Sequence, residues 1–271
     1  MAKQPSLSRR SLLGLALYLL GLCLPQHSSQ ADTAEERGLA IVTEADRRDT
    51  GWGDANANLT MVLRNQAGQE STRVLRVRFL EGAGDGHKSL VLFDHPTDVK
   101  GTALLTHAHK GQDDDQWLYL PALKRVKRIA AAQKAGSFMG SEFAYEDISG
   151  QEIARYTYKY LRDETSIGLD CFVVERYPVD QNSGYTRQVA WLDKAEHRLW
   201  KVEYYDRKQA LLKTLTLGQY EQYLDRYWRP GEMVMQNHQS GKSTLLTFTN
   251  YRLRTGLRVS DFHPSGLDQV H

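Results

Sequence analysis

From Tyr185 to Leu253 the chain is a succession of β-patterned segments with very little between them. YTRQVAWLD, HRLWKVEYYD, LLKTLTLGQY, YWRPGEMVMQN and TLLTFTNYRL follow one another, and several are separated only by DKAEH, DRKQA or HQSGKS. Breaks this short join antiparallel neighbours, because a parallel pair needs a crossover of a dozen or more residues. Upstream, Leu59, Met61 and Leu63 alternate with Thr60, Val62 and Arg64, and Leu75, Val77 and Phe79 alternate with Arg76 and Arg78, the period of half-buried strands. The sequence therefore predicts a mainly β fold of about a dozen strands in one large antiparallel sheet. A sheet of that size twists strongly and tends to curl or split.

One helix is expected, over Thr33–Arg48. Asp32 or Thr33 can cap it, acidic residues fill its first turn, and Leu39, Val42 and Ala45 fall near one face. Short helical or loop segments are expected near Asp94–Gly101 and Ala130–Gly140. If one helix covers only part of a curved sheet, a concave apolar cavity remains; a filled barrel is the competing outcome. The expected wall combines Leu75, Val77 and Phe79 with Trp117, Tyr119, Phe138, Met139 and Phe143, whose side chains are broad or flexible. The 14 Tyr and 5 Trp serve a lining for acyl chains and ordinary β-propensity equally well, so both readings stand here.

The first 31 residues read as a cleavable signal. Lys3, Arg9 and Arg10 precede an apolar run from Leu12 to Leu24, and Ser29 and Ala31 suit cleavage after Ala31. The Arg pair leaves the general secretory and twin-arginine routes both open. Leu22 before Cys23 argues against a lipid anchor. Residues 32–271 are expected to form one domain that is soluble in the periplasm or secreted. Of 35 Lys and Arg residues, three lie in the signal, so 32 cations face 33 anions in the remainder. That balance gives no field for nucleic acid. Cys171 alone remains after cleavage and excludes an internal disulfide.

Motifs of chemistry are weak. Ser240–Thr244 (SGKST) lacks the upstream glycine of a phosphate loop and reads as a hairpin turn with Gly241 supplying the dihedral. His107 and His109 share a strand face, but two imidazoles do not make a zinc site, so no metal or other cofactor is expected. No nucleophile motif occurs, and Cys171 lies in a strand-like run as a small core residue. The chain is read as not an enzyme.

The stretch DDDQWLYLPALKRVKRI, residues 113–129, sets a greasy strand beside a cationic one. Lys124 and Arg128 point one way and Arg125 and Lys127 the other. Charge on both faces suits either the protection of a sheet edge or a rim that meets phosphate headgroups or an acidic partner.

The longer block 99–148 carries K-G-T, D-D-x-W-x-Y-L-P-A-L-x-x-V-x-R-I and G-S-F-M-G-S-E-F-x-Y-E-D. It resembles the outer-membrane lipoprotein-sorting protein family, a LolA-like group, with a looser likeness to about Tyr251. The resemblance implies a half-open, incomplete β-barrel of LolA/LolB type with short lid helices over an apolar cavity. It also implies a periplasmic carrier that passes lipid or lipoprotein acyl chains between membranes or to and from an RND-type exporter, with transient membrane contact. The family's cargo residues are not motif positions that carry over one by one. The alternative is a non-carrier module that docks on a membrane exporter.

Overall fold

In the computed structural model, residues 32–82, 84–149 and 152–269 are described; the expected signal, 1–31, lies outside them. Helix α1, Ala34–Arg48, begins where Thr33 can cap it: the Glu36 amide donates to Thr33 Oγ1 (3.1 Å) and the Thr33 amide donates to Glu36 Oε2 (2.8 Å). Thirteen strands follow: β1 (Asp54–Arg64), β2 (Glu70–Leu80), β3 (Lys88–His95), β4 (Ala103–His107), β5 (Asp115–Leu120), β6 (Arg125–Arg128), β7 (Tyr156–Ser166), β8 (Leu169–Pro178), β9 (Arg187–Asp193), β10 (Leu199–Tyr205), β11 (Leu211–Tyr223), β12 (Tyr227–Asn237) and β13 (Ser243–Leu253).

All thirteen belong to one antiparallel sheet in the order β6-β5-β4-β3-β2-β1-β13-β12-β11-β10-β9-β8-β7. Every neighbour is the next strand in sequence except at the middle, where β1 pairs with β13, Leu59 opposite Phe248 and Met61 opposite Leu246. The sheet is not closed: β6 and β7 are its two edges. They are also consecutive in sequence. The chain between them must therefore travel from one edge to the other, and its described residues, 129–149 and 152–155, do so across the concave side. A lid is thus a consequence of the topology. It holds the short helix α2, Tyr145–Ile148, and drives Phe138 and Phe143 into the main core against Leu75, Val77, Phe93 and Leu104.

Strand alternation assigns the two faces. On the concave side lie Ala57, Leu59 and Met61 of β1, Val174 of β8, Ala190 and Leu192 of β9, and Val202 and Tyr204 of β10. On the convex side, Leu90, Leu92, Ala103 and Leu105 are covered by Phe262 and Leu267 of the C-terminal segment, while Cys171, Val173, Val189 and Trp191 form a separate cluster. Double coverage explains why β3 and β4 read as continuous apolar runs (SLVLF, ALLT) instead of alternating. Gly241 in the β12–β13 turn has φ +69° and sits in the hairpin connection expected for SGKST.

Helix α1 packs on β7 and β8 through Gly38 and Ile41. A Cβ at Gly38 would lie 2.7 Å from the Tyr160 amide nitrogen and 2.9 Å from the Lys159 carbonyl carbon, backbone atoms that cannot turn aside. Gly38→Ala is expected to push the helix off the sheet at an overpacking cost of about 1–3 kcal/mol, offset by about 1 kcal/mol of helix propensity. Urea denaturation reads the balance; a stability above wild type would mean that the close approach carries no packing energy.

Candidate functional site

The lid covers one end of the concave side, bonded to Arg73 of β2, Thr244 of β13 and Lys213 of β11, and stops short of the other end. There a cleft of about 980 Å³ opens between the C-terminal half of α1 and the sheet. Val42 and Ala45 of α1 face Phe79, Val174, Ala190, Leu192 and Leu199 across it, and Ile153 closes the lid side. These side chains come from the concave alternation of β2, β8, β9 and β10, so the apolar wall is the uncovered remainder of the same surface that forms the core.

The mouth is rich in arginine and aromatic rings. Arg198 donates through Nε to Asp193 Oδ2 (2.8 Å), and its guanidinium lies 4.5 Å from the Trp228 ring centroid and 5.5 Å from that of Tyr220. Burial works to raise the pKa of Asp193, yet the Glu196 amide, Trp200 Nε1 and Arg198 together hold it below the usual carboxylate value. Arg229 donates to Asp49 Oδ1 at 2.5 Å and lies over Trp52. Arg226 is exposed and donates to the helix-end carbonyls of Arg47 and Arg48, both at 3.4 Å. These carbonyls are the negative end of the α1 dipole. Among the described residues, Trp228 Nε1 and His197 Nδ1 in the cleft wall are buried without a hydrogen-bond partner.

Arg176 differs from the others. It lies on the concave face of β8, two residues after Val174, and is 9% exposed. Its Nε donates to Gln188 Oε1 (2.8 Å), and the guanidinium stands 4.8 Å from the Tyr156 ring centroid. Among the described residues no carboxylate lies within ion-pair distance of it.

The lid is fastened to the sheet by a buried polar network. Lys213 Nζ lies 2.6 Å from Asp147 Oδ2, with side chains 5% and 4% exposed, and donates also to the Glu142 carbonyl (2.9 Å). Asp147 accepts from the Ala144 amide (2.7 Å) and the Tyr185 hydroxyl (3.0 Å). Glu146 accepts from Ser183 Oγ and the Gly184 amide, both at 2.8 Å; burial nevertheless raises its pKa.

Of the side chains expected to wall a cavity, Phe79 lines this cleft. Leu75 and Val77 are buried in the core beneath the lid, and Phe138, Phe143 and Met139 are the lid's own side chains packed down on that core. Trp117 and Tyr119 are corrected in position: they alternate with Leu118 onto the convex face and pack beside Phe262 and Leu267. The cationic stretch lies away from this cleft. Lys124 closes the turn before β6 in a left-handed conformation, and Arg125, Lys127 and Arg128 lie on the exposed edge strand; none of the four borders the cleft. Arg128 pairs with Asp115 of the neighbouring strand. Edge protection is the physical fit for that placement. His107 Nε2 contacts the Phe262 carbonyl (2.7 Å), and His109 lies between Asp85 (2.5 Å) and Asp115 (3.2 Å). Among the described residues no group of three or more His, Cys, Asp or Glu is arranged to hold a metal ion. Arg176, Arg198, Arg226, Arg229 and Trp228 were not singled out by sequence reasoning.

A family model described as "Uncharacterized protein" matches residues 85–269. The chain is similar to an outer membrane lipoprotein-sorting protein domain from Vibrio parahaemolyticus, at 56% identity and TM-score 0.85, over 86% of this chain and 99% of that one. It is similar to a DUF1329 family protein from Desulfovibrio piger at 31% identity and TM-score 0.82, over 87% and 100% of the two chains. A LolA superfamily protein from Nitrosomonas europaea shares the fold at 22% identity and TM-score 0.67, over 86% and 98%. No curated protein sequence matches.

Proposed function

The chain belongs to the outer-membrane lipoprotein-sorting protein family, and on that footing we propose that it is a periplasmic carrier, not an enzyme, whose cleft holds acyl chains of lipid or lipoprotein. The observation that carries this reading is the apolar wall between α1 and β8–β10, left uncovered where the rest of the concave face is filled. Its volume of about 980 Å³ is at the upper end of the range for ligand sites, roughly 300–1,000 Å³. Each CH₂ removed from water contributes roughly 0.8 kcal/mol, so one long chain supplies ample affinity without any covalent step. Release then needs only an acceptor that binds the chain more tightly. An RND-type exporter is the proposed donor or acceptor. Transient membrane contact is proposed through the exposed cationic edge at Arg125–Arg128.

The test is displacement of a fluorescent fatty acid from the folded protein. Wild type is expected to bind at micromolar concentration or tighter. Ala45→Trp, on the helix wall of the cleft, is expected to weaken binding at least about tenfold. Its overpacking strain of about 1–3 kcal/mol leaves the fold standing. No binding by wild type removes the carrier reading and leaves the module that docks on an exporter.

A further inference from the structure

We propose that the cleft takes a single-chain amphiphile ending in an ionised acid, and that the anionic group sits on Arg176. The inference rests on the carrier reading and adds the headgroup to it.

Arg176 is a fixed positive charge on an apolar wall. Alternation along β8 puts it on the same face as Phe172 and Val174, and its neighbours across the strands are Gln188 and Tyr158. Only Nε has a hydrogen-bond acceptor, Gln188 Oε1. The terminal guanidinium nitrogens have no acceptor among the described residues, although the residue is nine-tenths buried.

Asp46 and Asp225 line the same cleft, but both are exposed and neither lies within ion-pair distance of Arg176. The buried acidic groups nearby are already engaged. Glu175 belongs to the opposite face and pairs with Arg187 (2.6 Å). Asp147 is taken by Lys213, and Glu146 by Ser183 and Gly184. An ion held this far from water without a counter-charge is costly. A ligand that brings the counter-charge recovers that cost, and the planar fork of arginine fits a carboxylate or a phosphate through paired N–H bonds. The wall from Val174 through Ala190 and Leu192 to Phe79 then receives the chain. Arg226 at the mouth also has no carboxylate partner among the described residues, but it is exposed. Water screens it, so it assists entry and does not seat the ligand.

The experiment displaces a neutral apolar dye, N-phenylnaphthylamine, from the full folded chain at neutral pH. The competing ligands are oleic acid, oleyl alcohol and oleoyl lysophosphatidic acid, which share one chain length and differ in the head. Charge-assisted hydrogen bonds of this kind are worth a factor of about 10–100. Wild type is therefore expected to bind an acid-headed ligand at least about tenfold tighter than the alcohol. Arg176→Gln is expected to abolish that preference while holding the alcohol within about twofold, and Arg226→Ala to change it by less than about threefold. Tighter binding of the lysophosphatidic acid than of oleate assigns the site to a phosphate head; the reverse assigns it to a free carboxylate. Arg176→Lys keeps the charge without the fork and should retain part of the preference, which maintains the test if Arg176→Gln does not fold. Equal binding of acids and alcohol by wild type, or a preference that survives Arg176→Gln, overturns the proposal and leaves the carrier standing. Failure of wild type to bind dye, acid or alcohol overturns both.

Discussion

Lys213→Met lowers the free energy of unfolding by about 3–5 kcal/mol, the cost of leaving one partner of a buried ion pair without the other. Lys213 and Asp147 are both almost fully buried, 2.6 Å apart, and they join the lid to the first, turn-proximal residues of β11. Removing the ammonium strands a carboxylate that retains the Ala144 amide and the Tyr185 hydroxyl but has lost its charge partner. The Glu142 carbonyl loses a donor in the same step. Urea denaturation followed by tryptophan fluorescence measures the loss. Lys213→Met combined with Asp147→Leu should recover most of it, because replacing both charges with apolar groups removes the unpaired ion as well as the attraction. A loss below about 1 kcal/mol for the single change would mean that water reaches the pair as it does at a surface.

The strands were legible because their pattern depends on the sheet alone. Leu59, Met61, Leu75, Val77 and Phe79 alternate as the register of β1 and β2 requires, and short breaks such as DRKQA leave a chain no choice but an antiparallel neighbour. The helix was legible from Thr33, Glu36 and its apolar stripe. The path of residues 129–155 was not. It follows from the fact that β6 and β7 are opposite edges of the sheet, and that is a property of the pairing of β1 with β13, which no local pattern announces. Once that order is known, the burial of Phe138 and Phe143 follows.

The site was less legible than the fold. The size of Trp117 and Tyr119 suits a cavity wall, yet alternation with Leu118 sends them to the convex side, where Phe262 arrives from more than a hundred residues away. The run KRVKR drew attention through density of charge, but density marks an edge that must resist pairing as readily as a site. Arg176 carried the better signal. In DCFVVERYP it falls on the same phase as Phe172 and Val174, so a strict two-residue count places a cation on the apolar face. That single break in pattern is more informative than the four cations of the edge, because a buried charge needs a reason and an exposed one does not.

Phe138→Ala is expected to cost about 3–5 kcal/mol, the range for truncating a fully buried aromatic ring. Phe138 is 1% exposed, its ring centroid lies 5.9 Å from Phe93 and 5.7 Å from Tyr145, and its amide donates to the Phe143 carbonyl (2.7 Å). The change therefore weakens the attachment of the lid to β3 while leaving the strands paired. Hydrogen exchange should report faster opening of the amides of 136–148 than of β3. Ligand binding then discriminates between two seats for an acyl chain. If the chain lies in the cleft beside α1, Phe138→Ala leaves fatty-acid affinity within about threefold, because Phe138 is not part of the cleft wall. If the chain instead displaces the lid and lies over Leu75, Val77 and Phe93, the variant binds more tightly, since loosening the lid removes part of the free energy needed to open it. A rise of tenfold or more would move the seat from the arginine-rimmed cleft to the core beneath the lid, and Arg176 would lose its ligand with it.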